Sequence, residues 1–156
     1  MKIKSIFIIA SLFLVSCTKE SMTGYKTFLK NNTDHMIVIK PYHFGSVAMD
    51  KIITLPPSDS LQIAEGSERG IVTGVVFSSE YFIGMDSLVV NFDNLYNITH
   101  YFILNPALNT KYYEFTSNRN LGNGISYAIK IEDVSKYSRH NTYTYTFTEQ
   151  DYLDAK

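Results

Sequence analysis

The chain has 156 residues but one cysteine, no tryptophan and only three arginines, Arg69, Arg119 and Arg139. A lone cysteine excludes an intramolecular disulfide and a zinc site built on thiolates. Three scattered arginines and a formal net charge of −1 lack the basic stripe of a nucleic-acid binder, so no nucleic-acid partner is expected. The motifs of familiar chemistry are missing too. His35, His43, His100 and His140 form no H-E-x-x-H or H-x-H pattern, and no G-x-S-x-G elbow or D-x-D-x-D-G calcium loop occurs. No cofactor, metal or catalytic residue is therefore expected, and the chain reads as a non-enzyme.

What is present begins at the N-terminus. Lys2 and Lys4 precede residues 5–15, an uncharged and mostly apolar run of 11 residues. Crossing a bilayer takes roughly 20 such residues, whereas a signal-peptide core needs about 7–15. Leu14-Val15-Ser16-Cys17 follows directly, and this quartet resembles the bacterial lipobox. That resemblance implies cleavage before Cys17 and transfer of a diacylglycerol to its thiol. The membrane is then a partner through acyl chains, and two or more chains make an anchor stable. Residues 1–16 are read as a lipoprotein signal peptide, 17–24 as a flexible tether, and 25–156 as a single domain. The leader takes two of the 14 basic residues and none of the 15 acidic ones, which leaves the rest mildly acidic.

The remainder favours sheet. Tyr (12) and Phe (10) dominate the aromatics, and with Val, Ile and Thr they suit pleated, half-buried surfaces. Alternation is clearest in the second half. Leu88, Val90 and Phe92 share a face. Ile125, Tyr127, Ile129 and Ile131 alternate with Ser126, Ala128, Lys130 and Glu132. Tyr143, Tyr145 and Phe147 alternate with four threonines. Period-two patterns of this length mark strands with one covered face. Further strands are expected at 25–30, 36–42, 51–55, 61–65, 71–79, 96–104 and 112–117. In 61–65, Leu61 and Ile63 should point one way, and Gln62 and Ala64 the other. Many short strands without intervening helices argue for an all-β, antiparallel β-sandwich of immunoglobulin-like type, with a small β-barrel as the alternative. A short helical turn is expected at 149–155, capped by Thr148 and pinned by Tyr152 and Leu153.

Two side-chain groups invite a functional reading. Tyr143, Tyr145 and Phe147 would stack on sugar rings if exposed, but are better read as core. His100 shares parity with Ile98 and Phe102, and reads as a partly buried, hydrogen-bonded histidine rather than a ligand.

The chain also resembles the small lipoproteins of unknown function found in Bacteroidota. The likeness rests on Ser16-Cys17, the Asn31-Asn32-Thr33 turn, Asp86-Ser87-Leu88-Val89-Val90-Asn91-Phe92-Asp93 and the ending 143–152. It implies a sandwich domain on the outer membrane, facing the periplasm or the cell surface, and carries over no activity. In that phylum, Lys19-Glu20 is similar to a surface-export signal, although Ser21 replaces a second acid. Asp59-Ser60-Leu61 and Asp86-Ser87-Leu88 match the phylum's O-glycosylation pattern, which makes Ser60 and Ser87 candidate acceptors. The function expected is a lipid-anchored envelope module that binds a protein or glycan. An immunity or inhibitor lipoprotein, or a small accessory hydrolase of polysaccharide uptake, are the alternatives.

Overall fold

A computed structural model describes residues 20–71, 82–102 and 111–156. Leu14, Val15, Ser16 and Cys17, the expected strand at 71–79 beyond its first residue, and residues 103–104 lie outside them.

Among the described residues, ten strands form two sheets. β1 (Met22–Asn31), β5 (Ser60–Arg69), β9 (Ala128–Ser135) and β10 (Ser138–Phe147) make the first, in the order β5-β1-β10-β9. β2 (Ile37–His43), β3 (Ser46–Val47), β6 (Ser87–Phe92), β7 (Tyr96–Tyr101) and β8 (Tyr112–Tyr113) follow one another in the second, and β4 (Ile53–Leu55) also pairs with β2. The sheets face each other around one core and do not close into a barrel, as an all-β sandwich requires. Both are mixed: β1 pairs with β10 in parallel, and so does β7 with β8. β1 begins at Met22, so 22–24, read from sequence as tether, belong to the sheet.

The β1–β10 pair is the axis of the first sheet. Its register is unbroken from Met22↔Ser138 to Asn31↔Phe147. Both strands alternate strictly. Tyr25, Leu29, Tyr143, Tyr145 and Phe147 point inward, while Lys26, Lys30 and the threonines of β10 point outward. The aromatic row of β10 is therefore core, as the alternation predicts. Each fully buried aromatic or leucine contributes about 1.5–3 kcal/mol relative to exposure. Burying a tyrosine requires a partner for its hydroxyl. Tyr145 donates to the carbonyl of Arg119 at 2.7 Å, Tyr127 donates to that of Leu121 at 3.0 Å, and the Tyr143 hydroxyl accepts from the Asn141 amide at 2.9 Å.

Asn31 joins the two sheets where β1 ends. It is fully buried; its amide donates to the carbonyls of His35, Leu55 and Pro56, and its side-chain oxygen accepts from the Thr33 backbone N–H and hydroxyl. One side chain thus fixes the turn out of β1 and ties it to the end of β4. Pro41 sits in β2 at the break between two short partners, β4 opposite Ile37–Ile39 and β3 opposite Tyr42 and His43.

Three further expectations are corrected. Residues 125–132 do not form one half-covered strand. The Asn123 side chain accepts the N–H of Ile125, and a 3-10 turn spans Gly124–Ser126. Tyr127 is buried, but all of β9 is exposed, because it is an edge strand with its apolar side beyond the cover of the second sheet. In β5, a bulge opposite Thr27 and Phe28 lets Ile63 enter the core while Leu61 and Ala64 both pack against it, so Ala64 does not face away. The helix α1 (Glu149–Ala155) has the expected bounds, but Leu153 points outward. Steps of 3.6 residues per turn place Asp151, Tyr152 and Ala155 on the inner side and Leu153 opposite.

Gly66 is the tightest contact of β5. It pairs with Tyr25, whose ring crosses it, and a Cβ there would lie 2.6 Å from Tyr25 Cζ. Gly66→Ala should therefore destabilise by about 1–3 kcal/mol by overpacking. Urea denaturation should show that cost disappearing in a Tyr25→Ala background, and equal costs in both backgrounds would refute the contact.

Candidate functional site

The outward face of the first sheet carries a small array of polar groups across four strands. The ladder registers set Ser67, Gly24, His140 and Glu132 side by side in one row, and Glu65, Lys26, Thr142 and Lys130 in the next. Successive outward residues on a strand are two apart, so the rows follow directly from strand pleating. Gly24 leaves the floor low. A Cβ there would already be 3.4 Å from the His140 ring, which lies across the strand. The result is an open depression of about 460 Å³.

Its charges are balanced and solvated. Lys26 pairs with Glu65 at 3.5 Å, and Lys130 with Glu132 at 2.6 Å. A hydrogen bond from Gln62, then the charge of Lys26, holds the Glu65 carboxyl below its ordinary value. Lys130 does the same for Glu132. These carboxylates are ionised acceptors, unsuited to donating a proton near neutral pH. Exposed pairs of this kind are screened by water and contribute little, so exchanging them for a ligand's polar groups costs little. The depression suits hydrogen bonding and charge pairing with a polar ligand.

A second polar cluster lies under α1 and does something different. Asp151 is buried, and both its oxygens are occupied. Oδ1 accepts from Arg119 Nε at 2.9 Å and from the Tyr113 hydroxyl at 3.2 Å. Oδ2 accepts from Arg119 Nη2, from the Thr148 N–H at 2.7 Å and from the Thr148 hydroxyl at 3.2 Å. Arg119 also donates to the carbonyl of Thr146 and lies over the Tyr145 ring. Tyr113 shares its single hydroxyl proton between Asp151 and Asp154, the latter at 2.5 Å. Burial, then the hydrogen bond to Asp154, raises the Tyr113 phenol far above its ordinary range. A carboxylate with five donors has no lone pair left for a substrate. The cluster fastens the helix and the segment around Arg119 to β10.

The histidines divide by environment. The His35 Nδ1–H donates to Asp93 at 2.5 Å, and the ring lies 3.5 Å from Glu149 and stacks on Tyr152 with ring centroids 3.7 Å apart. This clasp joins the β1–β2 turn, the Asp93-Asn94 turn and α1. His43 lies at the exposed end of β2, against the carbonyl of Gly84. His140 lines the depression. His100 is buried, and its Nδ1 accepts the Leu121 N–H at 3.0 Å. The ring proton of the neutral form is therefore on Nε2, which meets no hydrogen-bond partner among the described residues.

The two serine candidates are placed differently. Ser60 is exposed at the start of β5, whereas Ser87 is 9 % exposed within β6, paired on both sides with Tyr42 and Tyr101. Modification of a folded chain can reach Ser60 only. Sequence reasoning missed the Arg119–Asp151 anchor and the depression. The only prior signal for the anchor was an acid three residues after Thr148, and the depression needs the long-range register. No protein-family model, curated protein or solved structure matches this chain.

His100 generates a pH prediction. Burial, reinforced by the charge of Arg119, pushes its imidazole from 6.5 to about 3. The unfolded state then binds more protons between these values, so stability is complete above pH 6.5 and declines as pH falls toward 3. The slope can reach about 1.4 kcal/mol per pH unit. Urea midpoints from pH 6.5 to 4.5 should fall in the wild type and fall less in His100→Asn, whose side-chain oxygen replaces the Nδ1 acceptor. Identical slopes would contradict this account of the buried ring.

Proposed function

We propose that this chain is a lipid-anchored envelope protein of the kind found in Bacteroidota, held by acylated Cys17, whose sandwich binds a polar envelope component in the depression on the first sheet. The reading is of a binding module rather than an enzyme. The observation that carries it is the array of seven open, outward-facing polar side chains set around Gly24 on a four-stranded platform, six of which line the depression. Strands place such groups more rigidly than loops do.

Position supports the same reading. Cys17 stands five residues before Met22, a span of at most about 18 Å when extended. Gly24 and Lys26 lie two and four residues further along β1, about 7–14 Å at the strand rise. A Cys17 anchor would keep the depression within roughly 30 Å of the bilayer surface. A glycan or protein of the same envelope is the ligand this height fits.

Membrane fractionation with native pull-down tests both parts. Cys17→Ala should leave the membrane fraction or accumulate as an uncleaved precursor. The double substitution Lys26→Ala, His140→Ala removes only outward side chains, should remain in membranes, and should lose the component that co-purifies with the detergent-solubilised wild type. A cleaved, unlipidated Cys17→Ala chain still in membranes would end the anchor reading. Retention of the same component by the double variant would end the ligand-site reading.

A further inference from the structure

The strand β9 is an edge with unusual surface chemistry. Its outer edge has no strand partner among the described residues. Ile129 and Ile131 are 44 % and 47 % exposed, and Val134 64 %. Ile129 and Ile131 share one face of a strand that carries Lys130 and Glu132 on the other, and Val134 stands at its bulge. Natural edges are usually blunted by a run of like charge, inward-pointing charges, proline or very short length. β9 has eight residues, no proline and adjacent outward charges of opposite sign, and its one inward charge, Asp133, is paired with Arg139. Its bulge comes only at Val134, where the register with β10 shifts. Residues 128–133 therefore form a flat, open segment.

We propose that β9 pairs antiparallel with β9 of a second copy, about a two-fold axis through Ile131, to give a continuous eight-stranded sheet. The sequence is self-complementary about that residue and about neither of its neighbours. Centred on Ile131, Lys130 of each copy faces Glu132 of the other, and Ile131 faces Ile131. Facing residues in an antiparallel pair must share a side of the sheet, so the axis can pass only through a residue or shift by whole residues. Centred on Lys130, two lysines meet; centred on Glu132, two glutamates meet. Opposite charges across a pair stabilise and like charges directly opposite destabilise. Of these three registers, only the one through Ile131 pairs opposite charges. Asp133, on the inner side, is already neutralised by Arg139 at 2.6 Å and can face Ile129 of the other copy without an unpaired charge. The arrangement is isologous and closes as a two-fold dimer. It leaves Gly24, Lys26 and Glu65 of the depression open, and brings the two Lys130–Glu132 pairs together between two such depressions.

Sedimentation velocity of the full chain in detergent solution, across a concentration series, tests this through charge reversal. The wild type should dimerise reversibly. Lys130→Glu and Glu132→Lys each place like charges opposite at two positions and should weaken self-association about tenfold or more. The double reversal should dimerise as the wild type does. An equimolar mixture of the two single variants should restore the dimer as a heterodimer, because one chain then presents two acids and the other two lysines. Single variants that dimerise as strongly as the wild type would overturn the proposal. So would a wild type that stays monomeric at every concentration, the outcome expected if the chain's own residues cover this edge. Circular dichroism of each variant confirms that it is folded before it is compared.

Discussion

The parallel pairing of β1 with β10 is the constraint on which the sandwich depends. Each residue of β1 is hydrogen-bonded in register with one 116 positions later. All other parts of the first sheet hang from this pair: β5 on the free side of β1, β9 on the free side of β10. The pair also supplies most of that sheet's core, with Leu29, Tyr143, Tyr145 and Phe147 fully buried. Both ends of the domain therefore meet at its centre. Closing so long a loop must precede the contacts that reward it, so the domain cannot assemble its core until β10 is available.

The polar groups reinforce the same axis. Asn31 at the end of β1 locks the crossing to the second sheet, and Asp151, just past the end of β10, locks α1 and Arg119 beneath it. Removing either would strand several donors or acceptors in the interior, where each unsatisfied group costs about 1–3 kcal/mol. Their burial is tolerable because every hydrogen-bonding site is used. The depression lies over the opposite face of the same two strands, so the interior that fixes Tyr25, Tyr143 and Tyr145 also fixes Gly24, Lys26, His140 and Thr142. Ligand-facing groups here are positioned by the core behind them.

Legibility in the sequence followed the range of the interactions. Period-two patterns in Leu88-Val89-Val90-Asn91-Phe92 and in Tyr143-Thr144-Tyr145-Thr146-Phe147 gave the inward faces correctly, since pleating alone decides them. The α1 bounds were readable from Thr148 and the acids after it, a local capping signal. The Ile125–Ile131 alternation misled because periodicity shows that one face is apolar, not that anything covers it. The β5 bulge, the parallel β1–β10 pair and the rows of the depression arise from the register of β1 with residues 30 to 116 positions away. No short pattern encodes them. Gly24 fell within the expected tether and Gly66 just past the expected strand at 61–65, and only their cross-strand neighbours, His140 and Tyr25, show what lies against each.

Native-state hydrogen exchange tests the central claim most directly. If the β1–β10 pair holds the sandwich together, the amides of 26–30 and 142–147 should exchange only through global unfolding, with protection equal to the free energy measured by denaturant. The edge amides of β5 should open with much smaller free energies. Exchange of the β1 and β10 amides through a smaller, partial opening, while β6 and β7 keep full protection, would contradict the account.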